Sequence, residues 1–220
     1  MFHVKICGIT TPGDAAMVAR AGADAIGLNF YPKSLRFIGE EQARAIVAEV
    51  PEQVVKVGLF VNAASEVVCR SYDSLGLNLI QLHGDEPPEY LQQLGDRPVM
   101  RVFRIGGEGL QPTIEYLDRC QVLGRTPRLV LFDSQVHGTF GGTGVAGDWQ
   151  ALSAYTVRPP DRPPMVLAGG LTADNVAEAI RVVKPAAVDT ASGVETAPGR
   201  KSLPLVLRFV AAARKALGLP

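Results

Sequence analysis

Short apolar runs alternate with longer amphipathic stretches along the whole chain. In chain order the runs read HVKIC, AIGLN, VVKVGLF, NLIQL, VMRVF, RLVLFD, MVLAG and AAVDTA. A strand that is apolar almost throughout is buried on both faces, as the strands of parallel sheets are. The runs therefore predict eight strands of one parallel sheet.

The stretches between these runs carry the start and stop signals of helices. One has Pro12 near its start and ends at Gly22, and another is apolar on one face from Glu40 to Val50, where Pro51 stops it. NAASEVVCRSYDSLG and PPEYLQQLG both end at a glycine, a common residue just beyond a helix. Further helices are predicted around Pro112–Leu123, around Asp148–Tyr155, in TADNVAEAIRVVKP and in SLPLVLRFVAAARKALG.

Strand and helix signals alternate without a break in composition. This pattern predicts an α/β fold, a single (β/α)8 TIM barrel over residues 1–220, with a parallel eight-stranded central sheet. An open doubly wound sheet is the alternative. It should show a GxGxxG turn after the first strand, and CGITTPGD does not supply one.

Composition narrows the class of protein. The 220 residues are 47% hydrophobic, enough for one full core. The formal net charge is zero, which argues against nucleic acid or an anionic membrane as a partner. The chain enters a strand directly and has no run of about 18 apolar residues, so neither an export signal nor a membrane span is expected. Three cysteines without CxxC spacing argue against a disulfide framework or a zinc site and favour a reducing cytoplasm.

Polar or reactive residues end nearly every predicted strand. In a TIM barrel the active site lies at the C-terminal ends of the strands, in the loops that follow them. A structural protein would have no reason to place such residues all at one end. The strand ends and the loops just after them contribute Cys7, Asn29, Asn62, His83, Asp85, Arg104, Asp133, Gly169, Gly170, Asp189 and Ser192.

Glycine-rich loops after strands six, seven and eight predict a phosphate site. Small residues let backbone N–H groups approach an anion, and TIM barrels commonly bind phosphate at the last two of these loops. One cluster alone is typical of a tight turn, but three on consecutive loops favour an anion site. The candidates are Gly142 and Gly144 in GTFGGTG, Gly169 and Gly170 in LAGGLTADN, and Ser192 and Gly193 in DTASGVE.

Five side chains at this end carry candidate chemistry, each with a plainer alternative. Asp133 could act as a general acid or serve as a helix cap or ion-pair partner. Asp189 is a second such carboxylate, and its place before the last glycine loop favours ordering of that loop. Arg36 suits a bidentate carboxylate but could be a solvated surface charge. His83 could contact a ligand or anchor its loop, and Cys7 could be an inert core thiol.

The motifs, taken in order, resemble one family. KICGIT, GLNFYPKSLRFI, VGLFVN, IQLHGDE, LFD followed by GGTG, LAGGL and SGVE are similar to the phosphoribosylanthranilate isomerases of tryptophan biosynthesis, over nearly the whole chain. The resemblance implies an Amadori rearrangement of N-(5-phosphoribosyl)anthranilate to 1-(2-carboxyphenylamino)-1-deoxyribulose 5-phosphate, with no cofactor and no metal. It also implies that Cys7 is the general base, that Asp133 is the general acid and that Arg36 binds the anthranilate carboxylate.

Other features refine this expectation. Lys5 lies two residues before Cys7 on the same strand, so both side chains point the same way and Lys5 could support a thiolate. We expect the Cys7 thiol to be reachable by solvent and close to positive charge. Ala191 and Ser202 depart from the family pattern, where a serine and an acidic residue are usual. We assign substrate binding also to His83 and Asp189.

Two alternatives keep the phosphate loops but not this chemistry. The histidine-pathway isomerase performs the same rearrangement with two aspartates, one at the tip of strand one, where this chain has Cys7. A non-catalytic barrel could bind a phosphorylated metabolite as a sensor. We expect a small phosphorylated molecule as substrate, no nucleic-acid or membrane partner, and a monomer or homodimer in the cytoplasm.

Overall fold

Eight parallel strands close into a barrel in the computed structural model, which describes residues 1–105, 108–133, 149–156 and 162–220. Each strand pairs with the next, and the eighth pairs with the first, so the predicted TIM barrel is confirmed. The strands are β1 (Val4–Cys7), β2 (Ala25–Asn29), β3 (Val55–Phe60), β4 (Leu79–Leu82), β5 (Val99–Arg104), β6 (Leu129–Asp133), β7 (Met165–Ala168) and β8 (Ala187–Thr190).

Each strand is followed by a helix, as the sequence predicts. Thr11 caps the first helix by accepting a hydrogen bond from the Asp14 amide, and Gly76 ends the third with a φ of 60°. The fourth forms only one turn, which begins with 3-10-type hydrogen bonds from the Tyr90 and Leu91 amides to the Pro87 and Pro88 carbonyls and is followed by Gly95 at a φ of 58°. The helices are α1 (Pro12–Arg20), α2 (Glu40–Ala48), α3 (Ser65–Leu75), α4 (Tyr90–Gln93), α5 (Gln111–Val122), α6 (Trp149–Thr156), α7 (Val176–Val183) and α8 (Leu203–Ala216).

The barrel interior changes character along its axis. Near the amino ends of the strands it is filled by apolar side chains such as Val57, Leu79 and Leu129. Further along, the interior holds buried polar groups, including Lys5 and Asp189. Burying an ionised group in an apolar core costs free energy unless the group is paired. The buried charged residues at this end of the barrel therefore indicate a functional site.

A short hairpin after β8 was not predicted from the sequence. A 3-10 turn, Ser192–Val194, leads into β9 (Glu195–Ala197), which pairs antiparallel with β10 (Arg200–Lys201). Strands of three and two residues are too short to show an alternating pattern. The hairpin matters because its register sets Glu195 opposite Lys201.

Within the described ranges, no helix is both long enough and apolar enough to span a membrane.

Candidate active site

A cavity of about 220 Å³ opens at the C-terminal ends of the strands. It brings together most of the residues singled out in the sequence. Gly142 and Gly144 lie outside the described residues. The singled-out residues that do not line the cavity are Asn62, Asp85, Arg104 and Gly193. Those on the cavity wall are Cys7, Asn29, Arg36, His83, Asp133, Gly169, Gly170, Asp189 and Ser192.

The Cys7 thiol and the Lys5 ammonium lie side by side over Gly27. A Cβ placed on Gly27 would lie 2.5 Å from Cys7 Sγ and 3.1 Å from Lys5 Nζ. Because Gly27 has no side chain, β2 leaves room for both the thiol of Cys7 and the ammonium group of Lys5. The expectation that Lys5 points the same way as Cys7 is therefore confirmed.

Burial works against a charged thiol here. Cys7 lines the cavity, as expected for a thiol that solvent can reach, but it is only 7% exposed, so that access is narrow. Burial raises the pKa of the Cys7 thiol above its ordinary value, while the Lys5 ammonium acts to lower it without cancelling the effect. The ligand-free protein therefore holds this group mainly as a neutral thiol at neutral pH.

The raised thiol pKa predicts slow alkylation of Cys7 at neutral pH. Iodoacetamide reacts with the thiolate, whose fraction increases about tenfold per pH unit below the thiol pKa. We therefore expect the rate of Cys7 modification to climb from pH 7 and to keep climbing beyond about pH 8.5, the ordinary thiol pKa. Mass spectrometry of the modified protein measures this rate. The Cys69→Ser variant should show the same rise, and a Cys7 modification rate that is already level at pH 7 would contradict the prediction.

Lys5 is held by Asp189 inside the barrel. Lys5 Nζ donates to Asp189 Oδ1 at 3.0 Å, and the two residues are register partners on β1 and β8. Burial acts to lower the pKa of Lys5, but the Asp189 carboxylate and Cys7 outweigh it and raise that pKa. The Asp189 carboxylate thus contacts the charge partner of Cys7, a contact that sequence reasoning did not foresee.

Asp133 and His83 face each other across the cavity wall. Asp133 Oδ2 lies 3.8 Å from His83 Nε2, and Gln81 Nε2 lies 3.4 Å from His83 Nδ1. Burial lowers the pKa of His83 to about 4, so its ring is neutral at neutral pH. The ring lines the cavity, which favours ligand contact over loop anchoring, the alternative left open by the sequence.

The loop after β4 has its own anchor. Glu86 accepts hydrogen bonds from the amides of Asn62 and Gly84 and lies 3.3 Å from Arg101. Arg101 in turn donates to the carbonyls of Leu82 and Gly84. These contacts hold the loop, so the His83 ring is not needed for that purpose.

Arg36 is fixed in place and is not a solvated surface charge. Its Nε and Nη2 atoms donate to the two carboxylate oxygens of Glu195, at 2.9 and 2.5 Å. A Cβ on Gly8 would overlap Cδ of Arg36, so the arginine stem lies directly on the backbone next to Cys7. The Glu195 hydrogen bonds raise the pKa of the guanidinium further.

Lys201 joins this group from the other strand of the hairpin. Its Nζ donates to Glu195 Oε1 at 2.6 Å, to the Cys7 carbonyl at 2.6 Å and to the Ala191 carbonyl at 3.2 Å. Sequence reasoning missed both Glu195 and Lys201, although Glu195 stands in the quoted SGVE motif. The one available signal is the charge pair that a hairpin turn around Gly199 would bring face to face.

The last two strand loops pack closely enough to need glycine. A Cβ on Gly193 would overlap the Leu171 carbonyl oxygen, and Thr190 Oγ1 donates to that same oxygen at 2.7 Å. Gly170 has a φ of 64°, and its carbonyl accepts a hydrogen bond from Asn175. The two loops therefore form one joined backbone surface at the cavity edge.

Among the described residues, no cluster of three or more His, Cys, Asp or Glu side chains could hold a metal ion.

Comparison with known proteins gives a consistent result. A family model described as N-(5′-phosphoribosyl)anthranilate isomerase matches residues 4–212. The N-(5′-phosphoribosyl)anthranilate isomerase of Geobacter sp. strain M21 is 46% identical over 216 residues, which cover 98% of this chain and 99% of the relative.

Solved structures agree with the sequence comparison. The crystal structure of phosphoribosyl anthranilate isomerase from Thermotoga maritima matches with a TM-score of 0.85 and 38% identity, covering 98% of this chain and 100% of that one. A crystal structure of such an isomerase in complex with reduced 1-(o-carboxyphenylamino)-1-deoxyribulose 5-phosphate matches with a TM-score of 0.81 and 37% identity, with the same coverage.

Proposed function

The chain belongs to the N-(5′-phosphoribosyl)anthranilate isomerase family and catalyses that Amadori rearrangement, and we propose that Cys7 and Asp133 carry its proton transfers. The observation behind this assignment is that both residues, from β1 and β6, line one cavity together with Arg36 and the glycine loops. The aspartate pair of the histidine-pathway enzyme has no counterpart here, because Cys7 ends β1.

Asp133 starts the reaction as general acid. In its protonated form it gives a proton to the ribose ring oxygen while the C1–O bond breaks. The nitrogen lone pair of the anthranilate forms the C1=N bond, and the ring opens to a protonated Schiff base. His83 lies close to Asp133 and is neutral, so it can donate a hydrogen bond to that residue. It brings no positive charge that would favour the ionised carboxylate over the protonated acid.

Cys7 completes the rearrangement as general base. Its thiolate removes the proton from C2, and the C2–H electrons form the C1=C2 bond of an enolamine as C1=N becomes C1–N. Tautomerisation then moves a proton to C1 and leaves the ketone at C2. Burial disfavours the thiolate needed for this step, and the positive charge of the Lys5 ammonium beside Cys7 partly offsets that effect.

We propose that the two anionic ends of the substrate bind to different groups, one to a charged side chain and the other to backbone amides. We assign the anthranilate carboxylate to the Arg36 guanidinium and the phosphate to the joined loop surface with Gly169, Gly170, Ser192 and Gly193. The positive φ of Gly170 and the close packing at Gly193 support this, because only small residues let backbone amides approach an anion. Gly142 and Gly144 stay a prediction for the same end.

One experiment tests the activity itself. Freshly made phosphoribosylanthranilate should lose its anthranilate-type fluorescence at a rate proportional to the concentration of this protein. A barrel acting only as a sensor would bind the reduced product analogue without any such turnover.

Arg36→Met should raise KM, and it should also lower thermal stability because the buried Glu195 then keeps only one of its two cationic partners, Lys201. The change removes a charge-assisted hydrogen bond to the substrate, a loss on the order of 1.5–3 kcal/mol, or roughly 10–150-fold in kcat/KM. Steady-state kinetics measures KM. Arg44→Met removes an exposed arginine on α2 and should leave KM unchanged. A substrate analogue without the carboxylate should be insensitive to Arg36→Met, and equal loss with both substrates would contradict the assignment.

Gly170→Val should abolish competitive inhibition by inorganic phosphate. At a φ of 64° a β-branched residue is strained, and its side chain would stand between the loop backbone and the anion. Inhibition constants measure the effect. Gly124→Val is the matched control, since Gly124 has a φ of 69° and its Cβ would also meet open space, at the end of α5. Unchanged phosphate affinity in Gly170→Val would place the anion elsewhere.

We further propose that residues 1–220 form one catalytic domain that works in the cytoplasm as a monomer or homodimer. Pairing of β1 with β8 and packing of α8 against β1 support the domain assignment. The three cysteines are free thiols, as a reducing compartment would keep them.

A further inference from the structure

We propose that Glu195 is a positioning residue that makes Arg36 selective for a carboxylate, by holding one edge of the guanidinium and leaving the other for the substrate. This inference rests on the proposed role of Arg36. It concerns a carboxylate that contacts no substrate itself but fixes the orientation of the group that does.

The hydrogen bonds show which edge is taken. Glu195 accepts from Nε and Nη2 of Arg36, the side edge of the fork. A guanidinium carries five N–H donors in one plane, so the Nη1–Nη2 end keeps a second pair with the right spacing for a carboxylate. Arg36 lines the cavity with its side chain 23% exposed, and can offer that end to a ligand.

Both ends of the arginine are fixed, which leaves the guanidinium little freedom to turn. Its backbone amide donates to Ser34 Oγ, which also accepts a hydrogen bond from the Asn29 side chain. Its stem lies against Gly8. With the backbone and stem held, the Glu195 contact decides where the remaining edge points.

The charges of the cluster explain why an anion is favoured. Glu195, whose side chain is 4% exposed, is shared between Arg36 and Lys201, so two positive groups face one negative group. The cluster carries one surplus positive charge, which a single substrate carboxylate neutralises. Hydrogen bonds from Arg36 and Lys201 outweigh the burial that would raise the pKa of Glu195, and lower it below its usual value.

Lys201 also ties the cluster to the reacting end of the site. Its bonds to the Cys7 and Ala191 carbonyls connect Glu195 with the tip of β1 and with the loop after β8. A merely structural brace in this position would weaken every ligand to the same extent. A positioning residue would instead weaken only ligands that carry the carboxylate.

The test compares two ligands. One is the reduced product analogue with its carboxyl group, and the other is the same molecule with a plain phenylamino group. Calorimetry gives the Kd of each, and their ratio is the carboxylate discrimination. In Glu195→Gln we expect this ratio to fall at least tenfold while the phenylamino ligand changes less than threefold. An equal loss for both ligands, or an unchanged ratio, would overturn the inference.

Two further variants protect the test against misfolding. Glu195→Gln leaves the buried Lys201 ammonium without its carboxylate, so the double variant Glu195→Gln/Lys201→Met removes the pair together. The discrimination ratio should fall in it as well, and an unchanged ratio there counts equally against the inference. Glu86→Gln removes another buried carboxylate, paired with Arg101 beside the cavity, and should leave the ratio unchanged. If Glu86→Gln lowers the ratio equally, the effect belongs to any buried charge and the inference fails.

Arg36→Met separates this inference from the assignment beneath it. A methionine has neither the charge nor the N–H donors of arginine, so the ratio should collapse. If the ratio survives in Arg36→Met, the carboxylate role of Arg36 is wrong. If it collapses there but survives in Glu195→Gln, only the positioning role of Glu195 is wrong.

Discussion

Cys7→Ser should lower kcat by about 10²–10⁴-fold, although the side chain changes by one atom. A serine hydroxyl is far too weakly acidic to supply an anionic base, whereas a thiol ionises with an ordinary pKa of about 8.5. The space over Gly27 accepts the smaller oxygen without rearrangement. Binding of the reduced product analogue should therefore change little while turnover is lost.

Single-turnover fluorescence measures this loss directly, free of product release. Cys69→Ser is the matched control, because Cys69 lies on α3, outside the cavity wall. It should keep kcat within about twofold of the parent. If Cys7→Ser also turns over at the parent rate, Cys7 is the inert core thiol of the plainer interpretation.

Asp133→Asn should fold normally and lose kcat by a similar factor, about 10²–10⁴-fold. The amide keeps the shape at the tip of β6 but has no acidic proton for the ribose ring oxygen. KM should change much less, because the carboxylate and phosphate contacts lie on other loops. Steady-state kinetics together with a thermal melt separates this loss from unfolding.

Asp118→Asn on α5 removes an exposed carboxylate of the same size and should leave kcat unchanged. Near-parent turnover in Asp133→Asn would remove Asp133 from the mechanism. The acid role would then pass to Asp189, whose pKa burial raises despite the opposing Lys5 ammonium.

The fold was predictable because its signal is local. Each buried strand shows up as an apolar run, and residues such as Gly76 and Pro51 mark helix ends within a few positions of where they occur. The largest difference in helix length is at α4, where the helix predicted in PPEYLQQLG forms only one turn. That segment has a helical composition, but its hydrogen bonds are mostly of the 3-10 type and Gly95 follows it in a left-handed conformation.

The site was predictable only where one strand end supplies one group. Cys7, Asp133 and Arg36 could be picked out singly, because TIM barrels place function at strand tips. Their partners could not, since Asp189 reaches Lys5 only through the closing register of β1 and β8, and Glu195 reaches Arg36 only through a hairpin with no sequence pattern. Burial of Cys7 likewise depends on neighbours from several strands.

The Lys5–Asp189 pair also affects the order in which parts of the protein fold during synthesis. Its members are 184 positions apart, and Lys201 and Cys7 are 194 apart. Contacts between residues so far apart in sequence form late, because the chain must lose conformational entropy in closing the loop before the contact can stabilise it. During synthesis, Cys7 and Lys5 leave the ribosome well before Asp189, the residue that anchors Lys5. A nascent or truncated barrel therefore carries an unsupported thiol, and catalytic competence arrives together with closure of the last strand against the first.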